Sequence, residues 1–88
     1  MAVLIKAHTD ESVNVSPKNG KTFSLKELQE YVGGLIEILY LPEHRLLIIN
    51  DEGKLLGLEM NVIASAIYGR LDDFIVGDAI YCSDEEVE

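Results

Sequence analysis

Hydrophobic positions along this chain fall into short runs whose spacing shifts from that of a strand to that of a helix and back. Val3 to Thr9 is rich in branched apolar side chains and runs into the turn formers "TDES", which predicts a first strand buried on at least one face. In "SVNVSPKNGKTF", Val13 and Val15 alternate with polar neighbours, Pro17 limits pairing and Asn19-Gly20 favours a turn, so a ragged hairpin or long loop is expected. A helix should then span Leu25 to Val32. Ser24 is placed to cap its free amides, Glu27 to reach back to the Ser24 amide, and Phe23 with Leu28 to close a hydrophobic staple. Leu25, Leu28 and Val32 share one face of that helix, and Gly33 stands where a left-handed C-cap would fall.

From Leu35 the period returns to that of a strand. "LIEILYL" carries one charge, Glu37, and reads as a central strand with one partly polar face, ended by Pro42. "PEHR" supplies a hairpin loop into "LLIIN", and "NDEG" turns that strand into "KLLGLE", with Gly53 placed for a bulged turn; this predicts a three-stranded antiparallel meander. Asn61 is placed to cap a second helix, "VIASAIY", whose Val62, Ile63, Ala66 and Ile67 cluster on one face before Gly69. The β-branched content of that run leaves a strand as the alternative over residues 62–68. "FIVGDAIYC" makes a last strand with a kink at Gly77. Together these elements predict one compact α+β domain over residues 1–82, a mainly antiparallel sheet of about five strands with one or two short helices packed on it.

Composition narrows the partners. At 88 residues and 48% hydrophobic content, the chain has the makings of one folded core and lacks the composition of a disordered segment. Seven scattered Lys plus Arg against sixteen Asp plus Glu give a net charge of −9, which argues against direct binding to a nucleic-acid backbone, since that contact needs clustered cations. Asp84, Glu85, Glu86 and Glu88 predict an acidic, frayed tail over residues 83–88, and without those four the charge falls to −5. A single cysteine, Cys82, excludes an intramolecular disulfide framework and makes the cytoplasm the expected compartment. The N-terminal "MAVLIKA" is too short an apolar run for a signal peptide or membrane span, so no membrane partner is expected.

Candidate chemistry is sparse. His8, His44 and Cys82 lie too far apart in sequence to suggest a metal centre, and Cys82, on an apolar strand, reads as a half-buried structural thiol unless His8 comes to lie beside it. Asp72 and Asp73 would point to opposite faces of a strand or be solvated in a loop, and "NDEGK" lacks the remaining ligands of a calcium loop. No catalytic residue, metal or cofactor is therefore expected, and the reading is that of a non-enzyme. The Gly33-Gly34 pair is the remaining feature. Glycine-rich anion cradles sit at helix N-termini, whereas this pair follows a helix C-terminus, where the dipole is negative. Helix termination with close packing is its first explanation, and an exposed loop offering amides to a ligand or partner is its second. On the second reading, Gln29, Tyr31, Gly33, Gly34 and Glu37 form the candidate binding site.

"SLKELQEYVGGLIEIL", "INDEGKLLGLEMN" and "IVGDAIYC" together resemble a family of small phage and mobile-element proteins catalogued only as a domain of unknown function, the 3846 family. The resemblance runs from about Ser24 to Cys82, and its most specific part is Leu28-Gln29 with Val32-Gly33-Gly34 and Glu37. Members often carry a proline shortly before the position of Asn61, where this chain has Glu59. The resemblance implies a phage-derived or integrated-element origin and supplies no activity or catalytic residue. The expected role is a protein-interaction or inhibitor module acting on a host or phage protein, as a monomer or homodimer. A binder that sequesters a small nucleotide-like ligand is the alternative, and mimicry of DNA by carboxylates ranks third.

Overall fold

Period-two alternation assigns the side chains of each strand to two sides of a pleated sheet, and both sides are covered here. The computed structural model describes residues 2–88. Five strands, β1 (Ala2–Ile5), β2 (Ser12–Val15), β3 (Ile36–Leu41), β4 (Arg45–Asn50) and β5 (Ala79–Ser83), form one sheet in the order β2-β1-β5-β4-β3 with every neighbouring pair antiparallel. Two helices, α1 (Leu25–Val32) and α2 (Val62–Tyr68), complete the α+β fold. One sheet face carries Leu4, Leu46, Ile48, Ile80 and Cys82, packed with Phe23, Leu28 and Val32 around α1. The other carries Leu47 and Ala79, packed with Ala64 of α2 and Ile75. Double coverage explains why the β4 and β5 runs "LLIIN" and "AIYC" are almost wholly apolar.

Local signals place α1 as expected. Ser24 Oγ accepts from the Glu27 amide at 3.2 Å, and Glu27 Oε1 accepts from the Ser24 amide at 3.0 Å. Glu27 Oε2 also accepts from the Lys18 amide at 2.9 Å, which ties the preceding loop to the helix. The Ser24 bond first, then the Lys18 bond, hold the Glu27 carboxyl below the usual glutamate range. Leu25 departs from expectation. It is 56% exposed, so the buried stripe is Leu28 and Val32 with Glu27 rather than a stripe that includes Leu25. Over residues 62–68 the helix prevails over the strand because the buried Asn61 caps it, Oδ1 accepting from the Ala64 amide at 3.0 Å.

The topology corrects four expectations. The first strand stops at Ile5 rather than Thr9, where the Ala7 amide turns to Asp78 Oδ1 at 3.0 Å. β3 is an edge strand rather than a central one. The meander does not form. Residues 51–57 are turns whose Leu56 and Gly57 amides bond locally to Glu52 O and Lys54 O, and β5 takes the place beside β4. Leu55 and Leu56 accordingly stay in solvent, and Leu58 packs inward against Gly77, whose φ of +79° and near contact with Leu58 exclude a side chain there. Finally, the acidic tail is tied down. Residues Asp84–Glu86 make a single 3-10 turn, Val87 bridges Phe23, and the Phe23 amide donates to Glu86 O at 2.7 Å. Among the described residues no helix is long and apolar enough to cross a membrane.

Candidate functional site

The end of α1 shows what the glycine pair does. Gly33 takes the left-handed conformation at φ +81°, and the Gly33 and Gly34 amides both donate to Gln29 O, at 2.8 and 3.1 Å. The same helix end is closed from β4, since Asn50 Nδ2 donates to Val32 O at 3.1 Å while Asn50 Oδ1 accepts from the Glu52 amide at 2.8 Å. A Cβ on Gly34 would stand 3.1 Å from Asn50 Nδ2. Gly34 is thus small because the Asn50 amide occupies the space beside it, and both glycine amides are spent on a helix carbonyl. They are not bare donors for an anion.

Tyr31 is half-buried against the core, its ring edge-on to Phe23 at 6.2 Å. With Gly33 it lines a groove of about 280 Å³ whose polar walls are Glu30, Glu59, Asp78 and His8. Three carboxylates on this wall repel a phosphate-bearing ligand. Glu37 is elsewhere. It belongs to the opposite sheet face, with Leu39, so the structure brings Gln29, Tyr31, Gly33 and Gly34 to one helix end and leaves Glu37 apart from them.

Glu37 instead borders a second cavity, of about 160 Å³, between β3, the 51–55 turn, α2 and residues 73–76. Its walls combine Leu39, Ile49, Tyr68 and Phe74 with the carboxylates of Glu37, Asp51 and Asp73. Lys54 supplies a cation to this cavity, its ammonium 4.6 Å from the centre of the Phe74 ring and hydrogen-bonded to the Asp73 carboxylate. That bond first, then the Phe74 amide, hold Asp73 below the ordinary carboxylate range, and Arg70 does the same for Asp72. Sequence reasoning passed over Lys54, Tyr68 and Phe74. They lie in separate turns and a helix end, and no spacing announces that the chain folds them together.

The remaining reactive groups are quiet. Cys82 is buried, and burial, followed by the Glu86 carboxylate, pushes its thiol up to about 11. His8 does not lie beside it, since its Nδ1 meets Glu59 at 3.3 Å in solvent, and His44 pairs with Asp84 at 3.1 Å. Among the described residues no three His, Cys, Asp or Glu side chains are grouped to hold a metal ion.

Among the described residues, β3 has an unpaired outer edge. The Asp51 amide donates to Leu35 O at 2.8 Å, and the β3–β4 register alternates from there through Glu37↔Ile49, Leu39↔Leu47 and Leu41↔Arg45. In an antiparallel ladder this turns the backbone groups of residues 35, 37, 39 and 41 toward β4 and those of Ile36, Ile38 and Tyr40 outward. Among the described residues no strand pairs with β3 on that side. The opposite edge, β2, is only four residues long and followed by Pro17, which are devices that discourage pairing. Fold and surface together define a small α+β domain with an open edge strand beside an acidic, aromatic-walled cavity. The chain belongs to the family described as Domain of unknown function (DUF3846), whose family model matches residues 1–88, the whole chain. No curated protein and no solved structure matches it.

Proposed function

We propose that this chain is a protein-interaction module, of the kind that binds or inhibits a host or phage protein, and that it works by adding a strand of its partner to the open edge of β3. The observation that supports this reading is the row of outward backbone groups at Ile36, Ile38 and Tyr40 on a six-residue strand whose outer edge no strand pairs among the described residues. Exposed, flat, apolar edges otherwise invite aggregation, and a protein retains one where pairing with another chain is its use. A cytoplasmic setting suits a chain whose single thiol is buried and unpaired.

Tyr40→Pro tests the reading. Tyr40 is 78% exposed and its amide points away from β4, so proline there removes one outward donor and leaves the β3–β4 ladder whole. The variant should keep the thermal midpoint of the parent within a few degrees and lose a stoichiometric partner recovered by the parent from host lysate. Equal recovery by a folded variant would remove β3 as the docking edge.

A further inference from the structure

We infer that the strand docking on β3 carries a basic residue, Lys or Arg, flanked by apolar residues, and that Glu37 with the cavity behind it selects that residue. The inference rests on β3 being the docking edge and adds the chemistry of the occupant. Because the outward ladder groups belong to Ile36, Ile38 and Tyr40, Glu37 falls at a non-hydrogen-bonded position of the new pair, where facing side chains come closest. Among the described residues Glu37 has no ion pair, and neither does Asp51 on the same cavity wall. The cavity already accommodates one ammonium, that of Lys54 over the Phe74 ring, but Lys54 is matched by Asp73 and leaves Glu37 and Asp51 unanswered. A cationic side chain opposite Glu37 would lay its apolar stem along Leu39 and bring its charge to those two carboxylates. On the other face of the added strand, neighbouring residues would meet half-buried Ile36 and Ile38, which favours apolar side chains there.

The same charges argue against a second copy of this chain as the occupant. A two-fold pairing centred on Ile38 would satisfy all three outward residues, yet it would set the two copies of Glu37 diagonally across the seam, about 7–8 Å apart, between molecules that each carry −9.

The test uses two blocked seven-residue peptides, one alternating valine with arginine and one alternating valine with glutamate, titrated into the isotope-labelled full chain at low ionic strength. Amide shifts at Ile36, Ile38 and Tyr40, with the arginine peptide bound about tenfold more tightly, a preference that Glu37→Lys reduces about fivefold or inverts, are the expected results. Equal binding of both peptides at β3 would overturn the charge selection while the docking edge stands. Failure of the arginine peptide to reach β3 would also overturn it, with the Tyr40→Pro experiment deciding the docking edge separately. Dimeric mass with the β3 amides protected in the protein alone would assign the edge to a second copy, contrary to the inference.

Discussion

Asn61 is the side chain whose loss should cost the fold most for its size. It is fully buried and joins three parts of the chain: Oδ1 caps α2 through the Ala64 amide, while Nδ2 donates at 2.9 Å to both Ile5 O, at the end of β1, and Gly77 O, at the turn into β5. Asn61→Ala removes the cap, worth about 1 kcal/mol, and strips a donor from two enclosed carbonyls at about 1 kcal/mol or more each. The expected loss is therefore roughly 3–4 kcal/mol, out of a total of about 4–13 kcal/mol for a chain of this length. It should lower the thermal midpoint by about 15–25 °C. Urea unfolding followed by circular dichroism measures it directly, with the midpoint falling at unchanged slope. Asn61→Asp separates the contributions, because it keeps the cap acceptor and the volume but turns an oxygen toward the two carbonyls. A carboxylate so placed disfavours its charged form, so the folded state raises its pKa. The variant should then be most stable at low pH and lose stability as pH rises through that folded value. A cost below 1 kcal/mol for Asn61→Ala, or parental stability of Asn61→Asp at neutral pH, would refute the argument that Asn61 holds the three segments together.

Two further outcomes follow from the ends of α1. Gly34→Ala should destabilise the domain by about 1 kcal/mol, since the new Cβ presses on an Asn50 amide that two hydrogen bonds hold in place; a gain in stability on urea unfolding would show that Asn50 can yield. Glu27 has a folded pKa below its ordinary value, so its contribution is present above that ordinary value and is lost as pH falls through the folded one. Thermal midpoints of the parent and Glu27→Gln should accordingly differ at neutral pH and converge in acid, and a gap independent of pH would contradict the assignment of the Ser24 and Lys18 bonds to the ionised carboxylate.

Elements governed by neighbours in the chain were legible residue by residue. Ser24, Glu27 and Phe23 announce where α1 starts, Gly33 where it ends, and Asn61 and Gly69 bracket α2, because caps act over three or four residues. Apolar runs likewise mark β1, β3, β4 and β5, and the α+β class follows from the pattern, but the run "KLLGLE" forms no strand and β2 comes from the segment that reads as a ragged hairpin or loop. The candidate site was legible only in part. Gly33 and Gly34 stood out, but as two residues of one helix end whose amides the helix itself consumes, and Glu37 stood out without its surroundings.

The β3–β4 hairpin was legible from its short "PEHR" loop, but only the tertiary structure decided the other neighbours. "KLLGLE" reads as the partner of β4 through its turn, and "AIYC" as part of a last strand with no partner assigned. The second wins because its alternate residues fill both cores at once, with Ile80 and Cys82 under α1 and Ala79 and Tyr81 under α2, whereas the first leaves Leu55 87% exposed. With β5 inserted beside β4, β3 is left as an edge and its outward amides are left open. The cavity behind Glu37 arises the same way, from turns and helix ends far apart in sequence. The sequence by itself determined both helices, four of the five strands and their two-faced patterning, since those depend on local sterics and period. Strand order, the open edge and the meeting of Glu37 with Lys54 and Phe74 depend on competition among long-range pairings, which no local pattern contains.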